Sequence, residues 1–179
     1  MLTIIIPETE YYDEIKNEFK VYKEQKLQLE HSLVSISKWE SKFHKPFLGK
    51  DNKTDQELIY YIKCMTITQN VSDEVYNRLT YKNIDDITKY IDNSMTATTF
   101  SNIHNNPNRE IITSELIYYW MFSYNIPIEC QKWHINRLLT LIRVFNVKQA
   151  PPKKMSRREI MSRNAQLNAA RRKKLNSKG

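Results

Sequence analysis

The chain has 179 residues, of which 40% are hydrophobic and 11% are aromatic, including eleven tyrosines. This composition is typical of one globular domain with appendages and excludes an intrinsically disordered chain. The net charge of +8 is unevenly placed, because residues 153–179 hold ten Lys or Arg and one acid, whereas residues 1–152 hold eighteen basic and nineteen acidic side chains.

The first ten residues, MLTIIIPETE, have no basic region ahead of a short apolar run and turn acidic at once. This pattern is unlike a signal peptide. No segment approaches the roughly 18 consecutive apolar residues that a membrane-spanning helix needs. The two cysteines, Cys64 and Cys130, lie in apolar segments where free cysteine packs as a small hydrophobe. We therefore expect a soluble protein with reduced thiols in a reducing compartment.

Two short strands are predicted near the start of the chain. Leu2–Ile6 is rich in β-branched residues and stops at Pro7, and Leu27, Leu29 and His31 alternate with polar residues. These strands could pair as a short hairpin. The polar segment between them, Tyr11–Tyr22, is interpreted as either a short helix or an irregular arm.

Helices are predicted from residue 33 onward. Leu33, Ile36 and Phe43 recur at helical spacing after a candidate N-cap at Ser32. Thr54 and Glu57 form a capping-box pattern, which predicts a second helix that extends to Met65.

Two shorter helices and a long loop follow. Ser72 and Asn83 are candidate N-caps, which predicts helices over Asp73–Leu79 and Ile84–Asp92. The polar stretch Asn93–Asn108 is predicted to be a loop.

A helical hairpin is predicted from two apolar segments, SELIYYWMFSYN and IECQKWHINRLLTLIRVFNV, which Ile126-Pro127 separates. Polar residues in the second segment form one narrow stripe at spacings of three and four. A helix over residues 128–147 is therefore predicted at the centre of the core.

The pair Pro151-Pro152 interrupts this helix, and Ser156 with Glu159 forms another capping box for a polar helix that runs to about Leu175. The boundary is placed at residues 150–154. The predicted organisation is a mainly α, compact helical domain over residues 1–150 with a possible short N-terminal β-hairpin, followed by a Pro-Pro linker and a basic C-terminal helical arm over residues 151–179.

Catalysis is not expected. The chain has only two glycines, Gly49 and Gly179, whereas phosphate-binding loops need several glycines for close backbone approach, so a bound nucleotide cofactor is not predicted. The acidic residues near the start (Glu8, Glu10, Asp13 and Glu14) are interpreted as a solvated face. No catalytic residue is assigned.

A metal site is not predicted either. Cys130 and His134 are four residues apart and would share one face of a helix, but two further ligands are missing. The favoured interpretation is a buried cysteine beside a hydrogen-bonded histidine. A Cys-His nucleophilic pair is disfavoured because a helical cysteine in an apolar segment is unreactive. The three tryptophans are predicted to fill the core rather than an interface: Trp39, Trp120 and Trp133.

The basic arm is the candidate partner-binding site. Its cationic residues occur on every side of a helical wheel, so the arm lacks the apolar face that would lie in a membrane. The expected partner is anionic, either nucleic acid or an acidic protein surface, and the alternative is a solvated tail that only aids solubility. The predicted binding residues are Lys153, Lys154, Arg157, Arg158, Arg163, Arg171, Arg172, Lys173 and Lys174.

Three segments carry a family resemblance: SLVSISKWESKFHKPFLGK, SELIYYWMFSYNIPIECQKWHINRLLTLIRVFNVK and NAARRKKLNSKG. They resemble tail assembly chaperones and other tail-morphogenesis proteins of tailed bacteriophages. The likeness covers Leu33–Gly49 and Glu115–Gly179, which is under half of the chain. It implies a protein that binds the long, helical tape-measure protein in the host cytoplasm and keeps it soluble while the tail tube polymerises. It transfers no partner-binding residue.

Three hypotheses follow. The first is an assembly chaperone that is absent from finished particles. The second is a permanent virion component (a head-completion, connector or tail protein) whose arm docks on a neighbouring subunit or on DNA. The third is a nucleic-acid-binding regulator, for which the apolar 128–147 helix is a poor recognition element. Each of them is compatible with a homo-oligomer.

Overall fold

The computed structural model describes residues 1–13, 17–49, 51–100, 111–149 and 156–176. The chain separates into two compact units, Met1–Phe145 and Asn146–Gly179. The described residues are mainly helical, with strands confined to the N-terminal region. The predicted fold class is confirmed. The predicted boundary at residues 150–154 lies outside the described residues.

The N-terminal strands form one nested hairpin. β1 (Leu2–Ile6) pairs antiparallel with β4 (Gln25–Leu29), and β2 (Thr9–Asp13) pairs antiparallel with β3 (Glu18–Tyr22). The β1–β4 pair packs on the core and buries the alternate residues of one face: Ile4, Ile6, Leu27 and Leu29. The β2–β3 pair shows that residues 11–13 and 18–22 form strands, so the interpretation of residues 11–22 as a short helix or an irregular arm is wrong. Antiparallel pairing organises this segment, with Thr9 opposite Tyr22 and Asp13 opposite Glu18, and Asn17 adopts a left-handed conformation with φ 54°.

Two predicted helices are confirmed. α1 (Leu33–Phe43) begins after N-cap Ser32, and α2 (Asp55–Met65) begins after the capping box of Thr54 and Glu57. The two helices are joined in the core by a hydrogen bond of 2.9 Å from Trp39 Nε1 to the Glu57 carbonyl oxygen.

The next two helices differ from the prediction in their ends. α3 (Asp73–Tyr76) has the predicted N-cap Ser72 but ends before Leu79. α4 (Tyr81–Asp92) begins after N-cap Thr80, so the prediction of Asn83 as the cap is wrong. Asn83 is the second partner of the capping box, and its Nδ2 donates 3.1 Å to the Ile5 carbonyl oxygen in β1. This contact joins α4 to the hairpin.

The prediction of one helix over residues 128–147 is also wrong. α5 (Ser114–Ser123) forms as predicted, but a 3-10 helix at Ile128–Lys132 precedes a break, and α6 (Ile135–Gln149) begins after it. At the break the Ile135 amide donates 2.7 Å to the His31 carbonyl oxygen. A tertiary hydrogen bond to the end of the hairpin therefore replaces the local bond that a continuous helix would make.

The core is broader than a single central helix. α6 contributes three fully or nearly fully buried residues, so it lines the core together with other elements. The largest buried aromatics are Trp39 on α1 and Tyr61 on α2. The principal core residues are Ile4, Ile6, Leu27, Leu29, Leu33, Ile36, Trp39, Tyr61, Met65, Ile117, Met121, Ile135, Leu138 and Ile142.

Candidate functional site

The predicted basic arm forms a regular helix, α7 (Arg157–Leu175). Its capping box is confirmed, since the Ser156 amide donates 2.7 Å to Glu159 Oε2 and the Glu159 amide donates 3.3 Å to Ser156 Oγ. At the other end, Asn176 adopts a left-handed conformation and its amide donates to the Arg172 carbonyl oxygen. The arm therefore has a defined beginning and end of its own.

Every residue from 156 to 176 is exposed. At 1.5 Å per residue, the nineteen residues of α7 extend for about 28 Å. Seven of the nine predicted binding residues lie on this helix: Arg157, Arg158, Arg163, Arg171, Arg172, Lys173 and Lys174. Lys153 and Lys154 lie outside the described residues. With Glu159 as the only acid, the helix carries seven positive charges and one negative charge.

The positive charges form two groups. Arg157, Arg158 and Arg163 lie in the first half of α7, and four consecutive basic residues occupy 171–174, whereas the segment 164–170 is uncharged. Basic residues in the last turn are favoured by the helix dipole, but the two arginines in the first turn oppose it. Helix stability therefore explains the second group and does not explain Arg157 and Arg158.

The arm also carries apolar side chains. Ile160 and Leu167 are seven residues apart, so they lie on nearly the same side of the helix, and both are about half exposed. The arm thus presents two apolar side chains among its cationic residues, Ile160 within the first cationic group and Leu167 between the two groups. Among the described helices, none is sufficiently long and apolar to cross a membrane.

A second group of candidate residues is the buried polar cluster of the first unit. His31 Nδ1 and the Tyr61 hydroxyl form a hydrogen bond of 2.5 Å, and the His31 ring packs edge-on against His134 at 5.0 Å between centroids. His134 Nε2 donates 2.9 Å to the Tyr90 carbonyl oxygen, and its Nδ1 accepts from the Asn136 amide at 3.3 Å. Both imidazoles therefore have structural partners.

Burial makes these groups poor acids and bases near neutral pH. Desolvation, with a smaller contribution from repulsion by His134, lowers the pKa of His31 to about 3. Desolvation also lowers the pKa of His134 and raises that of Tyr61. The cluster is suited to holding the hairpin, α2 and the start of α6 together.

A testable consequence is acid sensitivity. His31 is neutral in the folded protein but titrates at about 6.5 in the unfolded chain, so the unfolded state binds the proton first as the pH falls. Full stability is present above pH 6.5, and it is lost progressively between pH 6.5 and about 3. Between pH 6.5 and 4.5, His31 should lower the free energy of unfolding by roughly 2–3 kcal/mol.

Urea unfolding at several pH values checks this expectation. His31→Asn removes the titrating imidazole but can still accept a hydrogen bond, so its unfolding free energy should depend less steeply on pH. His44→Asn is the matched control, because His44 is exposed and has the left-handed conformation that asparagine tolerates. Equal slopes for wild type and His31→Asn would contradict this assignment.

The predicted Cys130–His134 pair is not on one α-helix, because Cys130 lies in the 3-10 helix and His134 lies at the break before α6. Cys130 is buried and His134 is hydrogen-bonded, as predicted, and both cysteines are free thiols. Burial raises the pKa of Cys64 to about 11, so this thiol stays protonated at neutral pH. Within the described ranges, no group of three His, Cys, Asp or Glu side chains is arranged to hold a metal ion.

The other candidates are placed as follows. Trp39 is buried in the core as predicted, whereas Trp120 and Trp133 are half-buried at its edge. Arg137 lies over the Trp133 ring at 4.3 Å. Glu8 and Glu10 are exposed, in agreement with a solvated acidic face, whereas the side chains of Asp13 and Glu14 lie outside the described residues.

The sequence interpretation missed one surface, the outer hairpin, which we define as β2 and β3. It exposes several large apolar side chains: Tyr11, Tyr12, Phe19 and Val21. The available signal was the density of aromatic and β-branched residues between 11 and 22, which favours strands.

Comparison of the chain with protein-family models, curated proteins and solved structures finds no match.

Proposed function

We propose that this protein is a non-catalytic binding protein of tailed-phage virion assembly, similar to the tail assembly chaperones, and that α7 holds an unassembled tail protein such as the tape measure. The observation that supports the proposal most directly is an exposed helix of nineteen residues that carries seven cations and one acid. The resemblance of residues 33–49 and 115–179 to tail-morphogenesis proteins supplies the context of phage assembly.

The chemistry of α7 favours an acidic protein over nucleic acid as the main partner. The five arginines of α7 can bind carboxylates and phosphates alike through two parallel hydrogen bonds, so the charges alone favour neither partner. Ile160 and Leu167 add apolar contacts, which phosphate backbones do not use. Arg157 and Arg158 oppose the helix dipole in the free arm, and an anion bound at the first turn would offset this cost. Reversible holding of an anionic segment fits this arrangement.

The experiment is a quantitative pull-down from phage-infected cells. The test variant replaces the second cationic group with glutamine: Arg171, Arg172, Lys173 and Lys174. The matched control replaces four exposed lysines of the first unit: Lys23, Lys26, Lys82 and Lys132. Because both variants lose four positive charges, they separate the position of the charges from their number.

We expect the α7 variant to recover at least about tenfold less tape-measure protein, since several charge-assisted contacts of 0.5 kcal/mol or more are lost together. The control should recover a similar amount to wild type. Equal recovery by the two variants would refute the role of α7. If purified virions contain the protein in stoichiometric amount, the chaperone assignment is wrong and a permanent virion component replaces it.

Salt dependence distinguishes the two partner chemistries. Binding of duplex DNA through six to ten phosphates should weaken by about 10³–10⁵ between 50 and 200 mM salt. An acidic protein that also contacts Ile160 and Leu167 should show a shallower dependence, because apolar contacts are not screened. Titrations of the full chain with duplex DNA and with purified tape-measure protein at both concentrations make the comparison.

A further inference from the structure

The outer hairpin has an ordered apolar face. Because side chains alternate along a strand, the register places Tyr12, Phe19 and Val21 on the same side of the two-stranded sheet. They are 42%, 72% and 54% exposed. The Tyr12 and Phe19 rings pack at 4.9 Å between centroids, and the Tyr12 hydroxyl donates 2.7 Å to Asn17 Oδ1. The face is therefore held together by its own contacts while it remains open to solvent.

Arg78 fixes the base of the outer hairpin to the rest of the first unit. Its Nη2 donates 2.5 Å to the Pro7 carbonyl oxygen and 3.3 Å to the Tyr22 carbonyl oxygen, and its guanidinium lies 5.0 Å from the Tyr22 ring centre. On the opposite side of the sheet, Tyr11 and Tyr22 line a groove of about 340 Å³ whose other wall includes Glu74 and Asn77. That side faces α3, so the Tyr12 side is directed away from it.

The dimensions of this face match one helix. A two-stranded sheet is only marginally stable unless further strands or a helix cover it. Five residues of strand extend for about 17 Å, which equals about eleven residues of α-helix, and two strands with their side chains are about as wide as a helix of 10–12 Å. The cover that fits is a single helix of about three turns.

The charge of the outer hairpin indicates which residues should flank the apolar stripe of that helix. The two strands of the outer hairpin contain three acids (Glu10, Asp13 and Glu18) and one lysine (Lys20), so the outer hairpin is acidic. Glu10 pairs with Val21 and therefore shares the face with the apolar side chains. A helix with an apolar stripe and Lys or Arg beside it would satisfy both the apolar face and the acidic rim.

We propose that the Tyr12–Phe19–Val21 face of the outer hairpin is a docking site for an amphipathic helix of a partner protein, with an apolar stripe flanked by Lys or Arg. This site is separate from α7, and the argument for it does not depend on the proposed function.

The probe is a fluorescent fourteen-residue helical peptide with leucines at i, i+3, i+4 and i+7 and lysines beside them, titrated into the full-length protein. A second peptide has the same lysines but serines in place of the leucines. The test variant carries Tyr12→Ser and Phe19→Ser. The matched control carries Tyr119→Ser and Phe122→Ser on α5, where the side chains are 64% and 65% exposed.

We expect the leucine peptide to bind wild type and to bind the hairpin variant about tenfold more weakly, the scale of losing aromatic anchors. The α5 variant should bind as wild type does, and the serine peptide should bind at least about tenfold more weakly than the leucine peptide. Val21→Thr keeps a β-branched residue in the strand, so it should weaken binding without any change in the urea midpoint. Glu10→Lys should weaken binding by about threefold at low salt and less at high salt.

Three results would overturn the proposal: equal weakening by the α5 variant, equal binding of the serine peptide, or an unchanged affinity in the hairpin variant. Sedimentation of the protein alone supplies a fourth. If wild type is a dimer and the hairpin variant is a monomer, a second copy of the chain occupies this face instead of a partner helix.

Discussion

Replacing Glu40 with glutamine is expected to lower the free energy of unfolding by about 1–3 kcal/mol, and replacing it with alanine by about 2–6 kcal/mol. Glu40 is buried on α1 and accepts two backbone hydrogen bonds of 2.7 Å, from the Phe47 amide to Oε1 and from the Ser114 amide to Oε2. Glutamine turns an NH₂ toward one of these amides, and alanine leaves both without an acceptor.

The destabilisation by Glu40→Gln should exceed what the two hydrogen bonds alone would give. Ser114 is the first residue of α5, and a carboxylate is favoured at a helix N-terminus. Glu115→Gln is the matched control, since Glu115 lies in the same first turn but is exposed. Its unfolding free energy should stay within about 0.5 kcal/mol of wild type. Urea unfolding followed by tryptophan fluorescence provides the measurement, and a wild-type midpoint for Glu40→Gln would contradict the assignment of both acceptors.

Leu138→Ala is expected to destabilise the protein by about 2–5 kcal/mol, the range for truncation of a buried leucine. Leu138 is fully buried on α6, where it packs with Ile135 and Ile142 in the core. The loss has two parts, the transfer free energy of the deleted methyl groups and the cavity that remains.

Leu167→Ala on α7 is the matched control, because the same substitution there removes a side chain that is about half exposed. It should change the urea midpoint little, since no cavity forms and alanine is a good helix former. If the two variants were destabilised equally, Leu138 would not be a core residue.

The helices that the sequence predicted correctly share a local cause. The capping boxes at Thr54–Glu57 and Ser156–Glu159 involve residues three apart, so the hydrogen bonds that begin α2 and α7 are specified by a few neighbouring positions. The mainly helical fold class could therefore be predicted from the chain alone.

The errors have a tertiary cause. The break before α6 depends on a hydrogen bond between Ile135 and His31, which are more than one hundred residues apart. Asparagine is common at N-caps, but the N-cap of α4 is Thr80. Asn83 also donates a hydrogen bond to the Ile5 carbonyl oxygen in β1. Neither of these long-range contacts can be predicted from a pattern of neighbouring residues in the sequence.

The two candidate surfaces differ in the same way. The cationic arm was predictable because its charge is concentrated in one stretch of sequence and α7 exposes it regardless of packing. The apolar face of the outer hairpin was not, because Tyr12 and Phe19 become neighbours only when the register of β2 and β3 is known. Without the register, aromatic residues in a polar segment do not specify a face.

The long-range contacts of β1, β4 and the two residues after β4, Glu30 and His31, affect how the chain folds during synthesis on the ribosome. Ile4, Ile6, Leu27 and Leu29 can pair as soon as residue 29 has emerged, but the Met65 carbonyl oxygen that accepts from Glu30, and the Ile135 amide that donates to His31, emerge much later. At about 5–20 residues per second, the buried face of β1 and β4 waits roughly 5–20 seconds for α6. During that interval the nascent hairpin exposes its apolar residues, so co-translational folding of the first unit is complete only after the start of α6 has left the exit tunnel.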